Sequence, residues 1–247
     1  MTSTVLSVAL ETSCLAGGVA LGRGGTVLAT AEFDPGMRHA RDLVPALGRL
    51  ARSHGVDLRR LELVFLDLGP GSFTGLRVGV ATAKALHLAT RCQLVGVLAT
   101  DAVVAAIPEA RGQVCVVIDA TRGELYAARY QPFGEAPAPG DGRFTGCAGV
   151  WERTLGPAIM RPAELRGQLS PECYVVGGGV GRYGEEFGAA GLALAPRKQW
   201  LPSVEWVHAL GWERYQAGLT DDPYTLEPIY LRPSAAEERW REKHGPA

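Results

Sequence analysis

The order of hydrophobic and polar positions along the chain predicts strands that alternate with helices. The chain opens with a nearly continuous apolar run at 4–10, which is typical of a strand buried on both faces. At 38–53 the apolar positions recur with a helical period, and Pro45 inside this segment predicts a kink or a late start. The first half is predicted to contain strands at 4–10, 18–21, 26–33 and 61–68 and helices at 38–53 and 76–90.

The second half repeats the plan of the first. An apolar strand ends in an acidic residue and is followed by a short turn and a return strand, both at Glu11 and at Asp119. This similarity predicts an internal duplication of a strand–acid–hairpin unit, although any two hairpins look alike at this level. The other predicted elements are strands at 114–118, 124–130 and 174–177, a flexible excursion at 132–146, and helical pieces around Trp151, at 162–169 and at 204–217.

Composition and charge narrow the class of protein. The chain has 247 residues, of which 47% are hydrophobic and 21% charged, which is ordinary for a globular protein with room for two lobes. A formal net charge of -1 argues against a broad basic surface that wraps nucleic acid by itself. The five cysteines form no CxxC pair, which indicates a reducing compartment. No signal peptide and no membrane span are evident, so we expect a cytoplasmic protein.

A glycine-rich loop between a buried strand and a helix is the sharpest local signal. Ser72 or Thr74 can cap the helix, and a helix that starts after such a loop can bind an anion. The loop matches neither the Walker phosphate-binding motif nor the dinucleotide fingerprint, so phosphate binding and a tight structural turn both stay open. Its residues are Gly69, Pro70, Gly71, Ser72, Phe73, Thr74 and Gly75.

The helix that follows the loop carries small residues around much of its circumference. Such a helix is buried on more than one side, with one side on the sheet and the other on a second helix. That second helix belongs either to another subunit or to the segment at 38–53, and both alternatives stay open. The residues predicted to form a partner interface are Leu43, Leu47, Arg77, Val78, Ala81 and Ala85.

Acidic residues and glycines at strand ends are candidates for nucleotide binding. Carboxylates in this position hold metal–phosphate groups or act as bases, but capping of a turn is the alternative for each of them. The candidates are Glu11, Thr12, Asp119, Gly177, Gly178 and Gly179. The histidines lack metal-ligand spacing and no nucleophile motif occurs, so we predict neither a metal site nor catalytic residues.

The run from Gly69 to Gly79 closely resembles the signature of the TsaB family. The segments at 5–13, 119–126 and 228–233 are also similar to that family, and the resemblance covers most of the chain, being weakest at 135–169. It implies an α/β, actin-like (ASKHA, ribonuclease H-like) fold of two lobes with mixed sheets and flanking helices. We place the N-terminal lobe at 1–105 plus about 205–230, the C-terminal lobe at 106–204 and an exposed tail at 231–247.

The same resemblance implies a role in tRNA modification. TsaB proteins pair with TsaD, which transfers threonylcarbamoyl to the adenosine next to the tRNA anticodon, and the ATPase TsaE joins the complex. We therefore expect a TsaD heterodimer, tRNA contact through the complex, a homodimer when the chain is alone, and no membrane. ATP or ADP and the metal are expected in TsaD, with no cofactor in this chain by itself.

Two departures support a non-catalytic scaffold or activator. The histidine metal ligands of TsaD have no counterpart in the matching stretch at 95–104, and Glu11 stands where ASKHA phosphate loops carry Asp. The longer side chain moves the carboxylate outward and disturbs the expected geometry of a metal and its water. The alternative function is an ASKHA-type phosphotransferase or ATPase that acts by itself.

Overall fold

The computed structural model describes residues 4–14, 16–33, 39–109, 112–138, 140–232, 240 and 245. In these residues the strands form one five-stranded and one six-stranded sheet, in the orders β3-β2-β1-β4-β5 and β11-β10-β6-β7-β9-β8. Helices lie between the sheets and on their outer faces. The described part of the chain is therefore built as two layered α/β units, as the sequence predicted.

The first sheet is centred on β1, which pairs antiparallel with β2 and parallel with β4. β1 and β4 are buried along their whole length, which explains their nearly continuous apolar sequence. β3 alternates between exposed and half-buried positions at the edge of the sheet. The strands are β1 (Leu6–Glu11), β2 (Gly18–Arg23), β3 (Thr26–Glu32), β4 (Leu63–Asp67) and β5 (Gln93–Val97).

The second sheet is centred on β6, which pairs antiparallel with β7 and parallel with β10. β9 pairs antiparallel with the outer edge of β7, and β8 pairs antiparallel with the other edge of β9. The strands are β6 (Val114–Asp119), β7 (Leu125–Phe133), β8 (Arg143–Gly146), β9 (Gly149–Met160), β10 (Tyr174–Val176) and β11 (Ala193–Leu194).

The two sheets share one topology, which supports the predicted duplication. In each, the first strand of the unit lies in the middle, two strands follow it antiparallel on one side, and two parallel strands lie on the other. β6, β7, β9, β10 and β11 thus correspond to β1, β2, β3, β4 and β5, and β8 is an addition to the second sheet. The acids at the ends of β1 and β6, Glu11 and Asp119, occupy equivalent positions.

The helices cover both faces of the sheets. α1 and α2 pack on one face of the first sheet, and α6 packs on the other, where α3 joins it. α4 and α5 cover the outer face of the second sheet. Within the described residues, no helix combines the length and apolar character needed to cross a membrane. The helices are α1 (His39–Ser53), α2 (Phe73–Thr90), α3 (Ala99–Ala105), α4 (Pro162–Arg166), α5 (Val180–Ala189) and α6 (Val204–Gln216).

The structure corrects two predictions in the second half and adds one helix that was not predicted. The flexible excursion at 132–146 is partly sheet, since β7 runs to Phe133 and β8 begins at Arg143. Trp151, predicted to be helical, is a buried residue of β9 opposite Phe144. The sequence also missed α5, whose glycines weaken the helical pattern.

Some predictions fall where the structure gives no description. Position 38, the predicted start of the first helix, lies outside the described residues, as does position 233 of the segment at 228–233. Of the tail predicted at 231–247, only Leu231, Arg232, Trp240 and Gly245 are described. The boundaries of the two lobes stay a prediction.

Candidate functional site

The turn after β1 closes around the carboxylate of Glu11. Oε1 of Glu11 accepts hydrogen bonds from the backbone N–H of Ser13 at 2.7 Å, the hydroxyl of Ser13 at 2.8 Å and the backbone N–H of Cys14 at 3.3 Å. The side chain has no exposed surface, and Thr12 beside it is also buried. Glu11 therefore caps its own turn and faces the protein interior.

A second carboxylate lies next to Glu11. Asp67 ends β4, the parallel neighbour of β1, and its Oδ1 accepts the N–H of Gly69 at 2.6 Å. Burial and the adjacent charge of Asp67 raise the pKa of Glu11, and burial raises the pKa of Asp67. The second oxygen of each carboxyl is buried without a donor among the described residues. A proton held by either carboxyl group would remove the repulsion between the two charges.

The glycine-rich loop lies directly on this turn. A Cβ atom on Gly71 would be 2.4 Å from the carbonyl oxygen of Ser13, and one on Gly75 would be 2.0 Å from that of Thr12. The N–H of Ser72 donates to the Ser13 carbonyl at 2.7 Å, and its hydroxyl accepts from the N–H of Gly75, which confirms the predicted helix cap. These contacts favour the structural interpretation of the loop over phosphate binding.

The equivalent turn after β6 is open to solvent. Asp119 accepts the N–H of Thr121 at 2.8 Å and forms a 3.0 Å ion pair with Arg182, and its side chain is 35% exposed. Thr121 and Arg122 both have positive φ angles. From the C-terminal segment, Arg232 donates to the carbonyl of Ala120 at 3.1 Å. The second turn is therefore held by surface contacts rather than by burial.

The glycines after β10 pack against the backbone of β6. Gly177 has a φ of 114°, and a Cβ atom there would be 2.3 Å from the carbonyl oxygen of Val117. The N–H of Gly179 donates to the same carbonyl at 2.9 Å. Gly177 and Gly179 are buried and Gly178 is half-buried. This backbone serves the tight junction between β10 and α5, which leaves little of it open to a ligand.

An actin-like fold implies a metal and a nucleotide between two such turns, and the residues present do not fit them. The Glu11 carboxylate is enclosed and already accepts three hydrogen bonds, so it offers no surface to a hydrated metal. Four of the six nucleotide-binding candidates are buried, namely Glu11, Thr12, Gly177 and Gly179. Their enclosed positions do not favour a nucleotide at these four residues, while Gly178 is half-buried and Asp119 is partly exposed.

The described residues also contain no group of three or more His, Cys, Asp or Glu side chains placed to hold a metal ion. α3, whose counterpart is expected to carry histidine ligands in TsaD, is formed by Ala99–Ala105 and has none.

An exposed aromatic cluster marks the start of α2. The guanidinium of Arg77 lies 4.0 Å from the ring centroid of Phe73, and its Nε donates to the hydroxyl of Tyr230 at 3.0 Å. The rings of Phe73 and Tyr230 are 5.3 Å apart, and each residue is 39% exposed. Arginine and aromatic side chains of this kind are typical anchors of protein interfaces.

A stripe of mostly small and apolar residues continues along the outer face of α2. Arg77, Ala81, Ala85 and Leu88 recur at helical spacing and are exposed, Leu88 by 63%. α1 lies beside α2 and exposes Val44 by 60%. The alanines at the centre of the stripe allow another backbone to approach closely. We call Phe73, Arg77, Ala81, Ala85, Leu88 and Tyr230 the α2 face.

Two residues predicted for the partner interface are not on this surface. Leu43 is fully buried and Leu47 is 2% exposed, and both pack in the core between α1 and the first sheet. The prediction for them is corrected. The apolar side of an amphipathic helix packs on the core of its own domain, so these residues are not available to a partner. Val78 is half-buried. The sequence did not indicate Tyr230 as a site residue, although the segment at 228–233 already resembled the TsaB ending.

Comparison with known proteins identifies the family. The Escherichia coli (strain K12) protein named tRNA threonylcarbamoyladenosine biosynthesis protein TsaB is 30% identical over 96% of this chain and 98% of its own length. The chain belongs to the TsaB family. A Haemophilus influenzae TsaB protein is 26% identical to this TsaB-family chain over 84% of each sequence.

A family model and a solved structure agree with membership of the TsaB family. The model described as TsaD: tRNA N6-adenosine threonylcarbamoyltransferase matches residues 35–181. A Pseudomonas aeruginosa crystal structure, described as an uncharacterized protein with similarity to peptidase YEAZ, has a TM-score of 0.75 at 25% identity. It covers 92% of this chain and 100% of its own. Together with the repeated sheets, these matches confirm the actin-like α/β fold.

Proposed function

We propose that this TsaB-family chain acts in the biosynthesis of threonylcarbamoyladenosine on tRNA as a non-catalytic subunit that pairs with TsaD. The names of the Escherichia coli and Haemophilus influenzae relatives support the pathway. The finer role rests on one observation. The acid turn that a phosphotransferase would use is sealed beneath α2, while the α2 face above it is exposed.

The α2 face has the chemistry of an interface centre. An apolar area is bordered by an arginine stacked on aromatic rings, and such residues dominate binding energy when a partner excludes water from them. Ala81 and Ala85 leave room for a helix of the partner to pack against α2. In the absence of TsaD, the same face can pair with a second copy about a two-fold axis, which gives a homodimer.

The pairing with TsaD also suggests where TsaE, tRNA and the nucleotide bind. TsaE is proposed to join the TsaD heterodimer, and tRNA is proposed to bind the assembled complex, since the chain has a net charge of only -1. ATP or ADP and the metal are assigned to TsaD. This chain supplies a surface that stabilises the active arrangement of its partner.

The test is to mix the chain with its cognate TsaD and to measure the mass of the complex by size-exclusion chromatography with light scattering. We expect a 1:1 complex for the wild type, and we expect Ala81→Arg or Ala85→Arg to raise the dissociation constant roughly tenfold or more, because a buried unpaired charge is costly. Ala189→Arg, on an exposed alanine of α5, is the matched control and should bind normally. Threonylcarbamoyl transfer to tRNA should require both subunits.

Two results would contradict the proposal. Normal binding by both Arg variants would show that α2 is not the contact face. Hydrolysis of Mg-ATP by the purified chain alone, without TsaD, would instead favour the phosphotransferase or ATPase.

A further inference from the structure

A cavity of about 570 Å³ lies between the two sheets, beside the end of β5. It is bordered by the end of β5, the start of α3, the strand β8 and the C-terminal half of α6. Its volume is within the range of about 300–1,000 Å³ that is typical of small-molecule sites. Neither Glu11 nor Asp119 lines it, although Leu68 of the lining directly follows Asp67 in the sequence.

Much of the cavity wall is apolar, and it is formed by elements of both sheets. Removal of water from this wall would favour a ligand with an apolar body, at roughly 25 cal/mol for each Å² of apolar surface buried. The main apolar contributors are Val97, Leu98, Phe144, Leu210 and Ile229.

Two of the acids that line the cavity already accept backbone hydrogen bonds. Both carboxylate oxygens of Glu213 accept the N–H of Thr145, at 3.2 and 3.1 Å. Asp221 accepts the N–H of Gly96 at 2.6 Å, which ties the C-terminal segment to β5. These carboxylates have structural roles and hold the cavity wall together.

One arginine of the lining is already paired with acidic side chains of the protein. Arg143 pairs with Asp141 at 3.3 Å and with Glu152 at 3.2 Å, and its guanidinium stacks 3.5 Å from the ring centroid of Phe133. Its charge is balanced by these two acids, so it is not the group that selects a ligand.

The other two arginines both act on a third acid of the lining, because burial raises the pKa of Asp101 and the charges of Arg153 and Arg214 oppose that rise. Nη2 of Arg153 is 3.9 Å from Oδ2 of Asp101, at the outer limit of an ion pair, while the hydroxyl of Tyr130 donates to Oδ1 of Asp101 at 2.8 Å. The Arg153 side chain is only 24% exposed. Arg214, the third arginine of the lining, is an exposed residue near the end of α6. Each guanidinium carries five N–H donors, and the two together offer more donors than the one carboxylate of Asp101 can accept.

We propose that this cavity binds a small organic anion, with a carboxylate or phosphate group between Arg153 and Arg214 and an apolar body against Phe144 and Leu210. A guanidinium matches both oxyanions through paired hydrogen bonds, and these bonds strengthen where water is excluded. The site is independent of the proposed pairing with TsaD, because none of the residues of the α2 face lines it.

A matched pair of fluorescent probes tests the site. 8-Anilinonaphthalene-1-sulfonate carries an anionic group on an apolar body, and N-phenyl-1-naphthylamine has the same rings without the sulfonate. We expect the sulfonate probe to bind the full chain at one saturable site. Arg153→Gln and Arg214→Gln should each weaken its binding roughly tenfold, as expected for loss of a charge-assisted contact, and should leave the neutral probe within about twofold.

Two further variants separate this cavity from other apolar surfaces. Ala217→Trp places a large ring in the cavity and should abolish binding of both probes, whereas Arg60→Gln, on an exposed arginine of the first lobe, should change neither. Octanoate and phenyl phosphate, used as competitors of the sulfonate probe, distinguish a carboxylate ligand from a phosphate ligand. The proposal is overturned if both arginine variants bind the sulfonate probe as tightly as the wild type does. It is also overturned if the sulfonate probe shows no saturable binding to the wild-type chain.

Discussion

The turns after β1 and β6 occupy equivalent places in two sheets of the same topology, but the first is buried and the second is exposed. Glu11 has no exposed surface and accepts three hydrogen bonds from its own turn, whereas Asp119 is partly exposed and pairs with Arg182. Each acid ends the central strand of its sheet, so the strands place the two acids in the same way. The difference comes from what lies above each turn.

The first turn is covered because glycines allow α2 and its loop to touch the turn backbone. Gly71 and Gly75 have no side chain at points where a Cβ atom would meet a carbonyl oxygen. In the second unit the equivalent glycines, which lie between β10 and α5, pack against the carbonyl of Val117 on β6 and not against the turn itself. One duplicated unit has therefore become a rigid support for α2, while the other has kept an accessible turn.

The largest expected effect is on the packing of Gly75 against the first turn. Gly75→Ala would place a methyl group 2.0 Å from the Thr12 carbonyl oxygen, which is backbone and cannot rotate away. We expect a loss of about 3 kcal/mol of stability, at the upper end of the usual cost of overpacking. Unfolding in urea measures it. The control is Gly178→Ala in the second unit, where the nearest atom is 3.9 Å away and the expected change is below about 0.5 kcal/mol.

A similar loss for Gly178→Ala and Gly75→Ala would break the comparison, since it would mean that both turns are equally constrained.

A second, comparable effect concerns acid pH, since the first unit also buries a histidine. His208 of α6 packs its ring edge against Phe65 and lies 2.9 Å from the hydroxyl of Ser7 on β1, and burial lowers its pKa from 6.5 to about 4. The unfolded chain binds this proton first as pH falls. The contribution of His208 is thus fully present above about pH 6.5 and is lost towards pH 4, by roughly 3 kcal/mol in all.

The measurement for His208 is the free energy of unfolding at pH 7 and at pH 4.5. His208→Gln should be less stable at pH 7 and should lose less stability on acidification than the wild type. Identical slopes for the two proteins would show that the acid sensitivity has another origin.

The sequence was sufficient for the architecture, and the reason is physical. Strands buried on both faces must be apolar throughout, so β1, β4 and β6 were visible, and the repeated acid revealed the duplication. β9 was not visible because its long pairing with β7 depends on residues distant in sequence. Its mixed pattern around Trp151 fits a helix equally well.

The site was less predictable than the fold. Glu11 and Asp119 have the same local sequence setting, and only the tertiary cover by α2 separates a buried acid from an exposed one. Leu43 and Val44 are adjacent apolar residues of α1, yet one faces the core and the other the solvent. Arg153 of β9 and Arg214 of α6 line the same cavity, and no local sequence pattern indicates that they do.

The smallest expected effect comes from the acids themselves. Because the pKa of Glu11 is raised in the folded chain, the folded state keeps a proton that the unfolded state has released, and stability falls as pH rises between the ordinary and raised values. Glu11→Gln removes this slope and can donate to Asp67. We expect it to stabilise the protein at pH 8 by about 1 kcal/mol, the typical net contribution of one hydrogen bond.

The matched variant for Glu11→Gln is Asp119→Asn in the second unit. It removes one exposed ion pair with Arg182, so we expect a loss of about 0.5 kcal/mol or less, measured at pH 5 and at pH 8. Thermal unfolding of both variants at these two pH values measures the difference between the turns. If Glu11→Gln destabilises the protein at pH 8 as well as at pH 5, Glu11 is ionised in the folded state and its three hydrogen bonds outweigh its burial. The first turn would then hold a charged acid, as the second does, and the contrast between them would be one of exposure alone.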